Sequence, residues 1–165
     1  MFISQVADSV ITGARFVELF NAGATPVDLT GYRIKVYGNG STALSHAASL
    51  LAETVAPCST FLVVNDEVAF VGEYPNVSVA DAAGHSTGGI NGNGDDVCEL
   101  TDGTNALAVC GVLGTDSPGQ PWEYTDSIST RSASFVAGTT TFDVAQWTIT
   151  ADVACVGGGD SPGTR

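Results

Sequence analysis

The sequence ARFVELFNAGATPVDLTGYRIKVYG, residues 14–38, decides the fold of this chain. Residues 16–20 alternate between two side-chain faces, and residues 32–37 do so again, which is the period of a β-strand. The connection between the two runs contains Pro26, whose missing N–H keeps it out of the middle of a sheet. The stretch therefore predicts two strands joined by a loop. It bears strongly on the fold and only weakly on activity.

The rest of the chain continues this pattern of short strands and turns. Candidate strands lie at residues 2–7, 60–65, 77–80, 96–101, 106–112, 122–125, 132–136 and 146–150, with a helical turn over 66–74. Residues 43–53 could form either a strand with a loop or a short helix. A content of 20 glycines and no long helical period fit the same class. The sequence predicts an all-β fold, an immunoglobulin-like antiparallel β-sandwich of two sheets with about eight to ten short strands. We expect one domain over 1–155 and a tail containing glycine and proline over 156–165.

The charge balance restricts the partners. The chain has 18 Asp and Glu against 5 Lys and Arg, a net charge of −13. Nucleic-acid binding requires Lys and Arg to replace condensed counterions, and anionic membranes repel an acidic chain, so neither partner is expected. The carboxylates suit solubility in salty surroundings, with weak cation binding as the alternative. We expect no transmembrane segment, because no run of about 20 apolar residues is present, and no leader peptide at residues 1–5.

The chain contains four cysteines, Cys58, Cys98, Cys110 and Cys155. There is no CxxC pair and the two histidines lack ligand spacing, so a zinc site is not expected. An even number of cysteines in a β-rich, lysine-poor chain suggests disulfides and an oxidising compartment. Of the three possible connectivities we prefer Cys98–Cys110, which flank a hairpin turn at residues 102–105, with Cys58–Cys155 as the remainder. Four buried thiols are the alternative.

A series of short motifs runs through nearly the whole chain. It comprises IS at 3–4, FVEL at 16–19 with Asn21, VDLTGY at 27–32, AP at 56–57, FLVV at 61–64, NGDDVCEL at 93–100, DG at 102–103, WE at 122–123, WT at 147–148 and SPG at 161–163. In this order the motifs resemble the lamin tail domain, the immunoglobulin-like module of nuclear lamins that also occurs in bacterial exported proteins. The resemblance implies a fold without family-wide catalytic residues. Its bacterial side implies an accessory or adhesion-like module, often found beside nucleases, phosphoesterases or other hydrolases. The DNA contacts of nuclear lamin tails use basic surfaces, so they do not carry over to this acidic chain.

Two patterns invite a catalytic interpretation. Residues 84–88, GHSTG, match the G-x-S-x-G nucleophile motif around Ser86, but that mechanism needs a later histidine and none follows. We expect a flexible loop there. The carboxylate pairs Glu123 with Asp126 and Glu18 with Asp28 could be read as glycosidase pairs, but nothing in the sequence sets their separation or raises a pKa. We expect them to be solvated or turn-capping carboxylates.

Residues 91–96, NGNGDD, are similar to a calcium-binding loop. The sixth place is Asp96 where a helix-loop-helix calcium loop requires glycine, and residues 97–100 alternate like a strand. A tight turn leading into a hairpin is therefore favoured. A looser calcium site formed by Asp95, Asp96 and Asp116 is the alternative, and calcium is the only cofactor the sequence suggests.

Four aromatic residues, Trp122, Tyr124, Trp147 and Tyr32, could form a sugar-binding platform, although such residues more often fill a sandwich core, which we favour. Taken together, the sequence favours a non-catalytic interaction module of an exported, extracellular or cell-surface protein, disulfide-stabilised and binding a protein or polysaccharide surface. One alternative is an accessory domain of a secreted hydrolase or nuclease. The other is a calcium-dependent carbohydrate-binding module.

Overall fold

The computed structural model describes residues 1–11, 13–50, 53–77, 85–86, 89–152 and Pro162, with 85–86 described in backbone only. The strands within these residues are β1 Phe2–Asp8, β2 Phe16–Asn21, β3 Val27–Asp28, β4 Arg33–Tyr37, β5 His46–Ser49, β6 Thr54–Val55, β7 Ser59–Val64, β8 His85–Ser86, β9 Val97–Thr101, β10 Ala106–Cys110, β11 Ser127–Arg131 and β12 Trp147–Ala151. Helix α1 spans Glu67–Glu73, and a 3₁₀ helix spans Val144–Gln146. No helix in the described part of the chain is both long and apolar enough to span a membrane.

Two sheets form the body of the molecule. One has six strands in the order β12-β11-β1-β2-β7-β8, and the other has four in the order β10-β9-β4-β5, with a separate ribbon of β3 and β6. The pairings are antiparallel except that of β7 with β8. The predicted all-β, immunoglobulin-like sandwich is confirmed. The described residues hold twelve strands, and three of these have only two residues each.

Strand β2, in the stretch quoted first, lies in the interior of the six-stranded sheet and is buried on both faces. Val17 and Leu19 belong to the main core, which also contains side chains of the four-stranded sheet. Phe16 points to the opposite face, where it packs against Phe70 of α1 in a second cluster. Strand β2 has large apolar residues on both faces, Phe16 on one and Val17 and Leu19 on the other, because each face has its own cover.

The hairpin of β9 and β10 forms around the predicted turn. Oδ1 of Asp102 accepts hydrogen bonds from the backbone N–H groups of Thr104 at 2.8 Å and Asn105 at 2.7 Å, and these bonds hold the pKa of Asp102 below its usual range. On the outer side of β10, the N–H of Val109 donates to the carbonyl oxygen of Thr139 at 3.0 Å. The segment around Thr139 therefore covers the edge of the four-stranded sheet.

Two late strand predictions were wrong. Residues 122–125 lie in a turn and residues 132–136 follow a strand, β11, which spans Ser127–Arg131. The helical prediction over 66–74 is confirmed by α1, whose N-cap Asp66 accepts the N–H of Ala69 at 2.8 Å. Of the predicted tail 156–165 only Pro162 is described, and it is buried. The boundary at residue 155 lies outside the described residues and stays a prediction.

Candidate functional site

Three loops meet at one end of the four-stranded sheet, and we call them the loop end: residues 38–45, 89–96 and 111–125. They flank the last residue of β4, the first residue of β9 and the last residue of β10, which antiparallel pairing brings to the same end. The loop end contains four carboxylates, Asp95, Asp96, Asp116 and Glu123, and no lysine or arginine. This end of the molecule is therefore acidic, as the overall charge predicts.

Asp96 fastens two of these loops to each other. Its Oδ1 accepts the backbone N–H of Asn39 at 3.0 Å, and its Oδ2 accepts that of Asn93 at 3.2 Å. The side chain is only 4% exposed. Both carboxylate oxygens are thus used by the backbone, so Asp96 has a structural role in shaping the loop end.

Asp95 precedes Asp96 in the chain, and its carboxylate has a different hydrogen-bonding environment. Burial is the main cause that raises the pKa of Asp95, with the neighbouring Asp96 and, to a smaller extent, Asp116 adding to it. Oδ1 of Asp95 is buried and has no hydrogen-bond partner in the described part of the protein. A buried carboxylate oxygen that accepts no hydrogen bond and lies near other carboxylates makes ionisation of Asp95 less favourable.

The structure brings the three predicted calcium residues to the same end of the sandwich. Asp116 is exposed and lies against Gly40, where an added Cβ would come within 2.7 Å of the Asp116 backbone nitrogen. However, no group of three or more His, Cys, Asp or Glu side chains among the described residues is arranged to hold a metal ion. Calcium binding by Asp95, Asp96 and Asp116 stays a prediction. The preferred alternative, a tight turn leading into a hairpin, is what residues 91–101 form.

The turn before β9 depends on a glycine. Gly94 has a φ of +81°, and an added Cβ would collide with the backbone of Tyr124 and Thr125. The carbonyl oxygen of Gly94 in turn accepts the N–H of Tyr124 at 2.9 Å. Close backbone approach and left-handed φ both require glycine here, and they bind the loop of residues 111–125 to the loop of residues 89–96.

A groove opens beside the loop end, and we call it the Trp122 groove. It has a volume of about 510 Å³, and its lining consists of Val112, Thr115, Gln120, Pro121, Trp122, Phe142, Asp143 and Val144. Phe142 is the centre of a row of rings, with its centroid 6.1 Å from those of both Trp122 and Trp147. Asp143 caps the 3₁₀ helix by accepting the N–H of Ala145 at 3.1 Å. The groove thus combines an apolar floor with one fixed carboxylate.

Two of the four predicted aromatic residues, Trp122 and Tyr124, fill the core, as we favoured, and the other two, Tyr32 and Trp147, pack against it while partly buried. Trp122 is 4% exposed and Tyr124 is 1% exposed. The Tyr124 hydroxyl donates to the carbonyl oxygen of Asp96 at 3.2 Å, which satisfies the polar end of a buried ring. Tyr37 packs with Trp122, whereas Tyr32 lies against the main core. The aromatic residues in the sequence therefore indicated the core, and the groove lies at the edge of that core.

The cysteines occupy very different environments. Cys98 and Cys110 are direct partners across the β9–β10 ladder and are 2% and 1% exposed in the main core, with free thiols. Burial raises the pKa of Cys98 to about 12 and that of Cys110 further still. Cys58 is exposed at the start of β7, and Cys155 lies outside the described residues. Both predicted bonds, Cys98–Cys110 and Cys58–Cys155, stay predictions, and the register makes the first one geometrically accessible.

The G-x-S-x-G motif does not form the loop expected of it at its centre. His85 and Ser86 make the short strand β8, which runs parallel to Val63 and Val64 of β7. The predicted antiparallel pairing does not hold at this place, because β8 joins the edge of the sheet in parallel with β7. The side chains of both residues, and the other residues of the motif, lie outside the description.

The carboxylate pairs have structural roles where the structure describes them. Asp28 accepts the N–H of Thr30 at 2.8 Å, and hydrogen bonding with Thr30 lowers the pKa of Asp28. Glu123 accepts the N–H of Gly119 at 2.8 Å and the hydroxyl of Thr125 at 3.2 Å. Both are turn-capping carboxylates, as predicted.

The prediction that Glu18 is solvated or turn-capping was wrong. Glu18 is 1% exposed in the interior strand β2 and accepts the hydroxyl of Ser4. It is buried because β1 and β7 flank β2 and both faces of this sheet are covered. Its carboxylate belongs to the scaffold.

The groove residues Val112, Phe142, Asp143 and Val144 were missed at the sequence level. They come from the loop after β10 and from the 3₁₀ helix before β12, which are far apart in the chain. No spacing rule connects them. The available signal was local, because Asp143 is a good N-cap and therefore indicates a helix start directly after the ring of Phe142.

Comparison with known proteins gives one family. Residues 1–113 match the model of the Lamin Tail Domain family, so the match covers more than half of the chain. The chain belongs to the lamin tail domain family, whose members are non-catalytic immunoglobulin-like domains. Neither the curated proteins nor the solved structures contain a match.

Proposed function

We propose that this chain is a non-catalytic interaction module of an exported protein, and that it binds its partner through the loop end and the adjoining Trp122 groove. Membership of a non-catalytic family supports this proposal. The observation that carries it is the composition of the loop end. Four carboxylates, no basic residue and a neighbouring apolar groove make a distinctive recognition surface on a rigid sandwich.

The hydrogen bonds of Asp96 and Glu123 argue for recognition over catalysis by these two carboxylates. Asp96 has both oxygens occupied by backbone N–H groups, and Glu123 accepts two hydrogen bonds of its own turn. Groups held in this way shape a surface, whereas a general acid or base must be free to exchange a proton with a substrate. The surface is therefore suited to steering a charged partner into contact.

Turnover assays test the non-catalytic part of this proposal. The purified 165-residue chain is incubated with chromogenic ester, phosphodiester and glycoside substrates, and the rate is compared with that of heat-unfolded protein. We expect equal rates. A turnover that is lost on unfolding contradicts the proposal and favours the hydrolase alternative, in which this domain accompanies an active enzyme.

Surface proteolysis tests the export part. Intact cells of the source organism are treated with proteinase K, and peptides of this chain are sought in the released fraction by mass spectrometry. We expect release without lysis. Recovery only after lysis contradicts an extracellular or cell-surface location.

A further inference from the structure

We propose that the Trp122 groove binds lysine or arginine side chains of an extended basic segment in a partner protein. This inference rests on the proposed role as an interaction module and names the chemical class of its partner. It follows from three properties of the groove: its apolar floor, its fixed negative charge and the absence of basic residues from the loop end.

The floor suits the aliphatic part of a long basic side chain. Val112 and Val144 are 42% and 38% exposed, and Phe142 is half-buried between them and the core. Lysine and arginine lay their methylene stems along such surface while the charged head stays at the rim. Phe142, which is only partly buried, adds a ring face that attracts a cation. A volume of about 510 Å³ has room for more than one such side chain.

The rim supplies a counter-charge that is held in place. Asp143 is exposed, yet its Oδ1 accepts the N–H of Ala145 and its Oδ2 accepts the side-chain amide of Gln146 at 3.3 Å. A carboxylate fixed at a helix start loses little rotamer freedom when it pairs with a cation. The ligand therefore gains a pre-positioned partner for its charged head.

No lysine or arginine belongs to the loop end, and Arg15, whose guanidinium donates to Asn91 there, is paired with Asp8 at 2.7 Å. Arg131 packs beside Trp147, but it is 3% exposed and its guanidinium donates to Gln146. The whole chain carries a charge of −13, which raises the local concentration of cationic segments and repels acidic ones. Charge complementarity thus favours a basic peptide over a neutral sugar or a nucleic acid.

Two further groups favour an extended backbone in the ligand. Thr115 contributes a hydroxyl and Gln120 an amide to the lining, and Gln120 is exposed. Both side chains can pair with the peptide groups of an extended segment, while alternate side chains enter the groove. A basic segment with an apolar residue between its cations matches this arrangement.

The test uses fluorescence anisotropy with a labelled heptapeptide in which arginine alternates with leucine. Two comparison peptides replace arginine by glutamate or by diaminopropionate, a cation with a one-carbon stem. We expect the first peptide to bind the wild-type chain, the glutamate peptide not to bind, and the diaminopropionate peptide to bind more weakly. The glutamate result checks charge, and the diaminopropionate result checks the contact of the aliphatic stem with the apolar floor.

Matched variants locate the binding site. Val112→Lys places a cation in the groove and should weaken binding at least about tenfold. Val68→Lys makes the same change in net charge on helix α1, where Val68 is 84% exposed, and should leave the affinity within about twofold. Asp143→Asn keeps a good N-cap and removes the charge, so it should also weaken binding, whereas Glu53→Gln at an exposed site outside the groove should not.

Several outcomes overturn the inference. Equal weakening by Val112→Lys and Val68→Lys shows that only the overall charge matters. Binding of a neutral hexasaccharide that Val112→Lys abolishes, without peptide binding, assigns the groove to carbohydrate. A concentration-dependent dimer that Val112→Lys disrupts assigns it to a second copy of the chain. A further outcome is that the basic peptide fails to bind while the chain shows no turnover and is released from intact cells by proteinase K. That combination refutes the assignment of the groove to a basic segment and leaves the proposed function standing.

Discussion

Asn21, at the end of β2, connects two loops through the hydrogen bonds of its side-chain amide. Its side-chain amide donates to the carbonyl oxygens of Thr25, Val55 and Ala56 at 2.9–3.0 Å, and its Oδ1 accepts the N–H of Gly23 at 3.0 Å. The side chain is buried, so each of these groups would lose its partner in a truncation. One amide thereby fixes two loops.

We expect Asn21→Ala to lower the free energy of unfolding by about 3 kcal/mol, because the buried hydrogen bond to the carbonyl oxygen of Val55 and three part-buried hydrogen bonds are lost. Urea denaturation followed by tryptophan fluorescence measures the change. Asn105→Ala is the matched control, since Asn105 is exposed and its side chain makes one hydrogen bond, with Asp102 at 3.3 Å. The control should lose less than about 0.5 kcal/mol. Similar losses in both variants would refute the role of Asn21.

Asp95 is expected to destabilise the protein at neutral pH. Its pKa is raised above 3.8 in the folded state, chiefly by burial, so the folded chain binds this proton more tightly than the unfolded chain does. Acidification from pH 7 through this raised pKa should therefore add stability from Asp95, and that gain is complete near the unfolded value. Asp95→Asn should melt at a higher temperature than wild type at pH 7, and the difference should shrink toward pH 4. A variant that melts lower at pH 7 contradicts the expectation.

The same variant tests calcium binding. If Asp95, Asp96 and Asp116 bind calcium, millimolar calcium should raise the melting temperature of the wild type, because a ligand that binds only the folded state stabilises it. The rise should be absent in Asp95→Asn. Magnesium at the same concentration controls for general charge screening. No shift in the wild type removes the calcium site.

At the scale of elements, the register of the β9–β10 hairpin determines whether Cys98 and Cys110 can form a disulfide. The N–H of Val109 points away from β9 toward Thr139, so Val109 and Glu99 do not form a hydrogen-bonded pair. Their neighbours Cys110 and Cys98 then do, which sets their Cα atoms about 5.5 Å apart. Disulfides span roughly 4.4–6.8 Å between Cα atoms, so the Cα spacing of this pair is compatible with a bridge.

We therefore expect a Cys98–Cys110 disulfide when the protein is purified in air, formed as the two thiols lose two protons and two electrons to dissolved oxygen. Peptide mapping without reductant detects it. The bond closes a 13-residue loop from 98 to 110, and reduction should lower the free energy of unfolding by about 3 kcal/mol. Cys58→Ser is the control and should not alter the effect. The prediction is wrong if Cys98 and Cys110 both carry free thiols when air-exposed protein is unfolded for mapping.

Some elements were predictable from sequence and others were not, for reasons that differ by strand. Strand β2 and helix α1 have clear periods and capping residues, and their bounds agree with the prediction to within a residue or two. Strand β11, SISTR, has a single large apolar residue, Ile128, and is held mainly by the backbone ladders of its neighbours β1 and β12. Trp122 and Tyr124 alternate like a strand, yet they enter the core from a loop. The groove escaped prediction because only tertiary packing brings Val112 to Phe142.

At the scale of the whole molecule, the family match and the fold have different extents. The match ends at residue 113, but β11 pairs with β1 along four residues and β12 completes the sheet. Tyr124 lies in the main core and Ile128 in the second cluster. The folding unit therefore includes residues well beyond the matched region.

We predict that a chain ending at Leu113 does not fold cooperatively, because it exposes the edge of β1 and removes Tyr124 from the core. Circular dichroism during thermal melting compares it with the 165-residue chain, which should show a single sharp transition. A sharp transition in the shortened chain would show that the matched region is a domain by itself.

The cover on β10 has a consequence for contacts between molecules. Gly138 packs so close to the carbonyl oxygen of Leu107 that an added Cβ would overlap it. We expect Gly138→Ala to displace this cover and bare a strand edge, which is a template for fibre-like growth. Gly72→Ala, where an added Cβ meets nothing, is the control, and light scattering at high concentration reads the outcome. The opposite edge of this sheet, β5, has only four residues and is a short template for pairing. The close packing that Gly138 allows therefore protects the longer edge, β10, against self-aggregation.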